Sequence, residues 1–114
     1  MDVKIAFASS DGVTVNEHFG RSTVFQIYRL QDGGHEFVET RTTRPVCSFQ
    51  AHDDGALEKT ARSLADCRGV VAARIGGGAI DALLLQRIMG FALPGTIDDA
   101  IRTLIRTRRF SYLK

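Results

Sequence analysis

The hydrophobic positions of this chain change rhythm several times, and each change marks an element. Val3-Lys4-Ile5-Ala6-Phe7-Ala8 is a short, largely apolar run that predicts a strand over residues 3–8, closed by the polar turn Ser9-Ser10-Asp11-Gly12. Residues 24–30 are rich in β-branched and aromatic side chains and predict a second strand. Asp32-Gly33-Gly34 follows, a hairpin signal because tight hairpin turns need positive φ. The third strand is expected over residues 36–42. Residues 43–53 have no period and read as a polar loop opened by Pro45. From about Asp54 the spacing becomes helical, with Leu57, Ala61, Leu64 and Ala65 in register. Residues 69–74 are an almost unbroken apolar run, as a parallel strand buried on both faces requires. Gly76-Gly77-Gly78 opens a second helix with Ile80, Leu83, Leu84 and Ile88 on one face. A short strand near residues 90–93 and a Pro94-Gly95 turn come next. Thr96 and Asp99 then resemble a capping box for a last helix with the stripe Ile97, Ile101, Leu104 and Ile105.

The order βββαβαβα predicts an α/β protein of ribonuclease-H-like arrangement: a five-stranded mixed sheet with helices on both faces. In such a sheet the first strand lies beside the fourth and parallel to it. Ligands of open α/β sheets sit outside the carboxyl ends of parallel strands. Those ends deliver Ser9-Ser10-Asp11 from one strand and Arg74 to Gly78 from the other, and the loop carrying His18 leaves from the same edge. The polar residues are therefore expected to converge on one crevice.

Length and composition narrow the classes. With 114 residues, one domain over 1–114 is expected, large enough for a real core. No apolar run approaches the roughly 20 residues of a membrane helix. The chain passes from Met1 straight into a strand pattern without a signal peptide, so a cytoplasmic location and no membrane partner are expected. Two cysteines, Cys47 and Cys67, make no disulfide framework. A net charge of +2 is too small to imply nucleic acid, and Arg102, Arg106, Arg108 and Arg109 read as the wet face of the last helix.

His18 is the leading candidate metal ligand, because imidazole binds transition metals and Glu17 can fix its second nitrogen. The plainer alternative is a histidine bonded to loop carbonyls. Cys47 offers a soft thiolate on a loop, and its C-x4-H spacing to His52 is half a metal site. His52 also stands next to Asp53 and Asp54, which read as helix caps. Cys67, at the entry to a buried strand, is expected in the core. Asp11 is a candidate acid of a nuclease-type site, although a turn favours Asp on conformational grounds alone. Gly76 and Gly77 suit either an anion at a helix start or close helix–strand packing, and Arg21 and Arg74 near the same edge favour an anionic ligand. An ordinary iron–sulfur cluster takes about four cysteines from the protein. This chain has two, so it cannot by itself build such a site. A preassembled cluster that brings its own sulfides needs only one or two protein ligands and a basic pocket.

The words "KIAFASSDG", "VNEHFGR" and "FQIY" occur in this order. They are followed by Arg44-Pro45-Val46-Cys47, His52-Asp53-Asp54, Asp66-Cys67-Arg68-Gly69-Val70-Val71, Arg74-Ile75-Gly76 and Gly95-Thr96-Ile97. Together they resemble the nitrogenase iron–molybdenum cofactor biosynthesis family, which includes NifX-type proteins and the C-terminal domain of NifB-type proteins. The resemblance spans nearly the whole chain. It implies a non-enzymatic carrier of a preassembled metal–sulfur cluster, either the iron–sulfur precursor made by NifB-type enzymes or the later iron–molybdenum form. It implies cofactor-assembly scaffold and donor proteins as partners, His18 and Cys47 as metal ligands, and His52, Arg21, Arg74, Gly76 and Gly77 around the cargo. The oligomeric state stays open. Alternatives are a carrier of another cluster, such as molybdenum–copper sulfide, a metal-dependent nuclease or phosphoryl-transfer enzyme on the same fold, and a regulatory module without metal. The chain departs from the family in two places: Arg87 stands where a glycine is common before the last strand, and Cys47 is not universal.

Overall fold

The computed structural model describes residues 2–31, 34–42 and 54–107. The main sheet contains β1 (Asp2–Ala8), β3 (Val24–Gln31), β4 (Gly34–Thr42), β5 (Gly69–Ala72) and β6 (Met89–Ala92), in the order β4-β3-β1-β5-β6. β1 pairs antiparallel with β3 and parallel with β5, so the sheet is mixed, as its sequence predicts. Three helices cover it: α1 (Asp54–Ser63), α2 (Gly77–Leu85) and α3 (Ile97–Thr107).

Strand alternation decides which residue meets which helix. Ala6 and Ala8 of β1, with Val70 and Ala72 of β5, point to the face covered by α1 and α2. Ile5 and Phe7, with Val71, point to the face covered by α3. Helices therefore lie on both faces. Ala61, Leu64, Ala79 and Leu83 close one core, and Ile97, Ile101 and Leu104 close the other. Thr96 caps α3 as expected, its Oγ1 accepting from the Asp99 N–H at 3.1 Å.

Several boundaries differ from the sequence reading. β5 ends at Ala72, not at Arg74, because the next two residues turn their backbones to another partner, the loop of His18. β2 (Thr14–Val15) and β7 (Gly95–Thr96) form a separate antiparallel ribbon that is too short to leave a period in the sequence. Within α2, Leu83 is fully buried but Ile80 and Leu84 face outward, so the apolar residues of this helix do not share one face. Cys47 and His52 lie outside the described residues.

Arg87 explains itself. It has φ 60°, the left-handed conformation that usually calls for glycine. The Ile88 N–H reaches the Leu83 carbonyl and the Arg87 N–H reaches the Leu84 carbonyl, both at 2.9 Å, closing α2 with a Schellman motif. Ile88 and Leu83, both fully buried, supply its apolar contact. Arg87→Gly is expected to stabilise the fold by about 1 kcal/mol, by relieving the cost of a β-carbon in this conformation. A urea titration checks this; a lower midpoint would show that Arg87 contributes more than its backbone strain costs.

Candidate functional site

The parallel neighbours β1 and β5 end side by side, and the chain after each is tied down locally. After β1, Ser9 is fully buried and donates to Asp11 Oδ1 at 3.1 Å, while its Oγ accepts from the Gly12 N–H at 2.9 Å. Asp11 Oδ1 also accepts the Val13 and Thr14 N–H groups at 2.8 Å, and Oδ2 accepts the Thr14 hydroxyl at 2.7 Å. The Thr14 N–H and hydroxyl, then the Val13 N–H, hold this carboxyl well below the usual range. Asp11 is thus the anchor of its turn, with both oxygens engaged by it.

Next comes a one-turn 3₁₀ helix, Phe19–Arg21, preceded by His18 in extended conformation. Phe19 is buried against Phe25, with ring centroids 6.0 Å apart, and fixes the turn from beneath. His18, Gly20 and Arg21 are left on the surface. The loop is stitched to the end of β5: the Phe19 N–H reaches the Arg74 carbonyl and the Ala73 N–H reaches the Glu17 carbonyl, both at 2.9 Å. His18 and Arg74 are parallel bridge partners as a result.

These contacts shape an open cleft of about 510 Å³ lined by His18, Gly20, Arg21, Arg74, Ile75 and Gly76. Among the described residues, the side chains of His18, Arg21 and Arg74 have no hydrogen bond or ion pair. Gly76 caps α2 without any side-chain bond, so among the described residues the first-turn N–H groups of that helix have no side-chain acceptor. A β-carbon on Gly76 or Gly77 would meet nothing within 4 Å, and neither residue has positive φ. Close packing therefore does not account for these glycines; they leave open surface above the helix start. Among the described residues the lining holds two guanidiniums, one imidazole and no carboxylate, beside the positive end of a helix macrodipole. Such a site favours an anion.

The predicted residues His18, Arg21, Arg74 and Gly76 thus come together, with Gly77 adjoining. Gly20 and Ile75 line the cleft as well and were not singled out by sequence; each sits inside a word of the resemblance, which is the only signal they carry. Leu57, one turn into α1, stands 3.8 Å from a β-carbon built on Gly20 and 3.7 Å from one on Gly78. The start of α1 therefore borders the cleft. Among the described residues no three His, Cys, Asp or Glu side chains gather as an ion cage, so His18 is the metal-binding group that the described lining provides.

Cys67 is elsewhere. It is 3% exposed, and burial, followed by the charge of Asp66, pushes its thiol up to about 12. Arg41 grips Asp66 through two bonds of 2.7 and 3.0 Å, and its guanidinium holds the Asp66 carboxyl well below the usual range. This pair joins β4 to the turn before β5 at the surface, while Cys67 itself lies in the core, as expected.

This is a mixed-sheet α/β protein whose basic, glycine-floored cleft lies at the carboxyl edge of its parallel strands, the edge at which open α/β sheets place their ligands. The chain belongs to the family described as dinitrogenase iron-molybdenum cofactor, whose pattern matches residues 1–107. It is 36% identical over 83 residues to the FeMo cofactor biosynthesis protein NifB of Herbaspirillum seropedicae, covering 73% of this chain and 16% of that protein. It is 34% identical over 108 residues to protein NifY of Klebsiella pneumoniae, covering 90% of this chain and 45% of that protein. The chain thus spans less than half the length of either relative. Among solved structures, a candidate NifB protein from Thermotoga shares the fold with a TM-score of 0.59 at 21% identity, over 93% of this chain and 90% of that one. A candidate dinitrogenase from Methanocaldococcus jannaschii shares it with a TM-score of 0.58 at 15% identity, over 94% and 91%. No helix among the described residues is long and apolar enough to cross a membrane.

Proposed function

We propose that this chain holds a preassembled, anionic metal–sulfur cluster during nitrogenase cofactor assembly and passes it on without altering it. The carrying observation is the cleft itself, in a member of this family: one imidazole, two guanidiniums without a partner among the described residues, and a glycine-floored helix start whose N-cap, Gly76, supplies no side-chain bond. His18 serves as a ligand to an exposed metal of the cluster. Arg21 and Arg74 balance its charge, and Gly76 and Gly77 let its sulfides approach the first-turn N–H groups. Cys47 adds a soft ligand and His52 a second imidazole. Both precede α1, whose start borders the cleft, and Cys47 is seven residues ahead of Asp54. Seven extended residues reach about 25 Å, ample for a thiolate to arrive at the cleft. The cargo is the iron–sulfur precursor of the cofactor or its molybdenum-containing form, received from and handed to assembly proteins in the cytoplasm. In this reading residues 1–114 act as one carrier domain of ribonuclease-H-like topology. A nuclease reading has less support, because Asp11 is engaged by its own turn.

Anaerobic mixing with a cluster donor, followed by gel filtration, tests the proposal. Iron and visible absorption are expected to co-elute with the chain at stoichiometric loading, and absence of iron would sink the reading. Gly77→Ala makes a second test. It is expected to raise stability by about 0.5 kcal/mol, since alanine loses less backbone entropy in a helix. It is also expected to weaken retention by crowding the helix start. Unaltered retention in this variant would remove the helix start from the site.

A further inference from the structure

α2 departs from the pattern its neighbours keep. Outward positions of α1 and α3 carry charges, among them Glu58, Lys59, Asp99 and Arg102. The outward positions of α2 carry Ile80, Leu84 and Leu85, which are 38%, 51% and 75% exposed. Exposed aliphatic side chains grouped on one helix mark an interaction surface; single ones do not. Asp81 is the only charged residue between Gly77 and Leu85, and helical spacing sets it next to both leucines. Gly77 leaves the first turn open, since a β-carbon there would meet nothing within 4 Å, so another backbone can come close there.

Charge selects the occupant. Arg74 precedes this face and Arg87 follows it; both are exposed, and among the described residues neither side chain has a hydrogen bond or ion pair. Along the helix the sequence of charges is therefore positive, negative, positive. A second copy docked about a two-fold axis through the middle of the face would set Asp81 against its own counterpart. With the helices antiparallel it would also set Arg74 beside Arg87. Like charges so placed oppose association. The complementary pattern is acid, base, acid.

We propose that the outward face of α2 is a docking surface for a partner protein segment whose apolar stripe carries a central basic residue and carboxylates at both ends. The inference does not require the cluster reading, and its test contains no cluster. It bears on that reading nonetheless: α2 starts at the floor of the cleft, so a protein seated on α2 stands at the cleft's rim, where a donor or acceptor of cargo must be.

The test uses the full chain and two fluorescein-labelled helical peptides with the same leucine stripe. One has a central lysine and terminal glutamates; the other has these charges inverted. Fluorescence anisotropy at low salt is expected to show the first binding at least about tenfold tighter, a difference of roughly 1.4 kcal/mol. Amide NMR shifts are expected on α2, and Leu85→Ser, at a position too exposed to disturb the fold, is expected to weaken the complex. Arg87→Glu is expected to reduce the preference between peptides. Equal affinities, no binding at millimolar peptide, or shifts away from α2 would overturn the proposal. A chain that sediments alone as a dimer, and becomes monomeric on Leu85→Glu, would overturn it by assigning the face to a second copy.

Discussion

Replacing Arg21 and Arg74 together by alanine is expected to weaken cluster retention on the order of a hundredfold, with the fold unchanged. Each guanidinium is exposed and, among the described residues, its side chain is without a partner, so neither is committed to the fold. Loss of such a side chain costs stability no more than about 0.5 kcal/mol. A hydrogen bond to a charged group is worth about 1.5 kcal/mol or more, roughly tenfold in affinity for each arginine. His18→Ala is expected to lower retention as well, again with little change in stability, because among the described residues only the backbone of His18 is held, its carbonyl accepting the Arg21 and Ser22 N–H groups at 3.0 Å. Lysine at both arginine positions separates charge from geometry: it keeps the positive field but lacks the planar fork. Partial rescue by lysine, and retention that falls with ionic strength, would mark the arginine contribution as mainly Coulombic. The readout is iron retained per chain after gel filtration, beside a urea midpoint for each variant. Full retention in the double arginine variant would remove the anionic-cargo reading, and full retention in His18→Ala would make that residue structural.

The sheet was legible because its strands carry unequal faces. Ile5 and Phe7 alternate with Ala6 and Ala8, and the apolar run of β5 suits a strand covered on both sides. Once β1 and β5 are parallel neighbours, the meeting of His18 with Arg74 follows from where their loops leave the sheet. Other features leave no trace in a linear pattern. Two-residue strands such as Thr14–Val15 are shorter than any period. The end of β5 is set by bonds to residues 17–19, which are distant in sequence. α2 is apolar nearly all round, so spacing alone could not say that Leu83 turns inward and Leu84 outward. The glycines at 76 and 77 posed the same difficulty. Packing and openness have one sequence signature, and only the positions of neighbouring atoms tell them apart.

Cys67 is expected to resist alkylation in the native chain at least about thirtyfold better than in the unfolded one. Burial is the main cause and the Asp66 carboxylate the second, and they raise the thiol from an ordinary 9.0 to about 12. Three units of pKa lower the thiolate fraction at neutral pH about a thousandfold, and the greater nucleophilicity of the more basic thiolate offsets about thirtyfold of this. The same shift has a pH signature. The folded state holds this proton more tightly than the unfolded state, so the associated stability is fully present below about pH 9 and is lost as pH rises toward 12. The urea midpoint of the native chain should accordingly fall more steeply above pH 9 than that of Cys67→Ala, which lacks the titrating group. Cys67→Ser is expected to cost about 1–3 kcal/mol, because it buries a hydroxyl that lacks an acceptor within reach. The Cys67 Sγ lies 3.8 Å from Asp66 Oδ1, and the shorter C–O bond of serine leaves its hydroxyl short of that acceptor. Timed alkylation with peptide mapping reads the first effect, and Cys47, in a polar stretch of sequence, supplies the internal reference. Cys67 labelled before Cys47, or Cys67→Ser as stable as the parent, would mean that the thiol is not held in the core, and the search for the soft ligand would move to it.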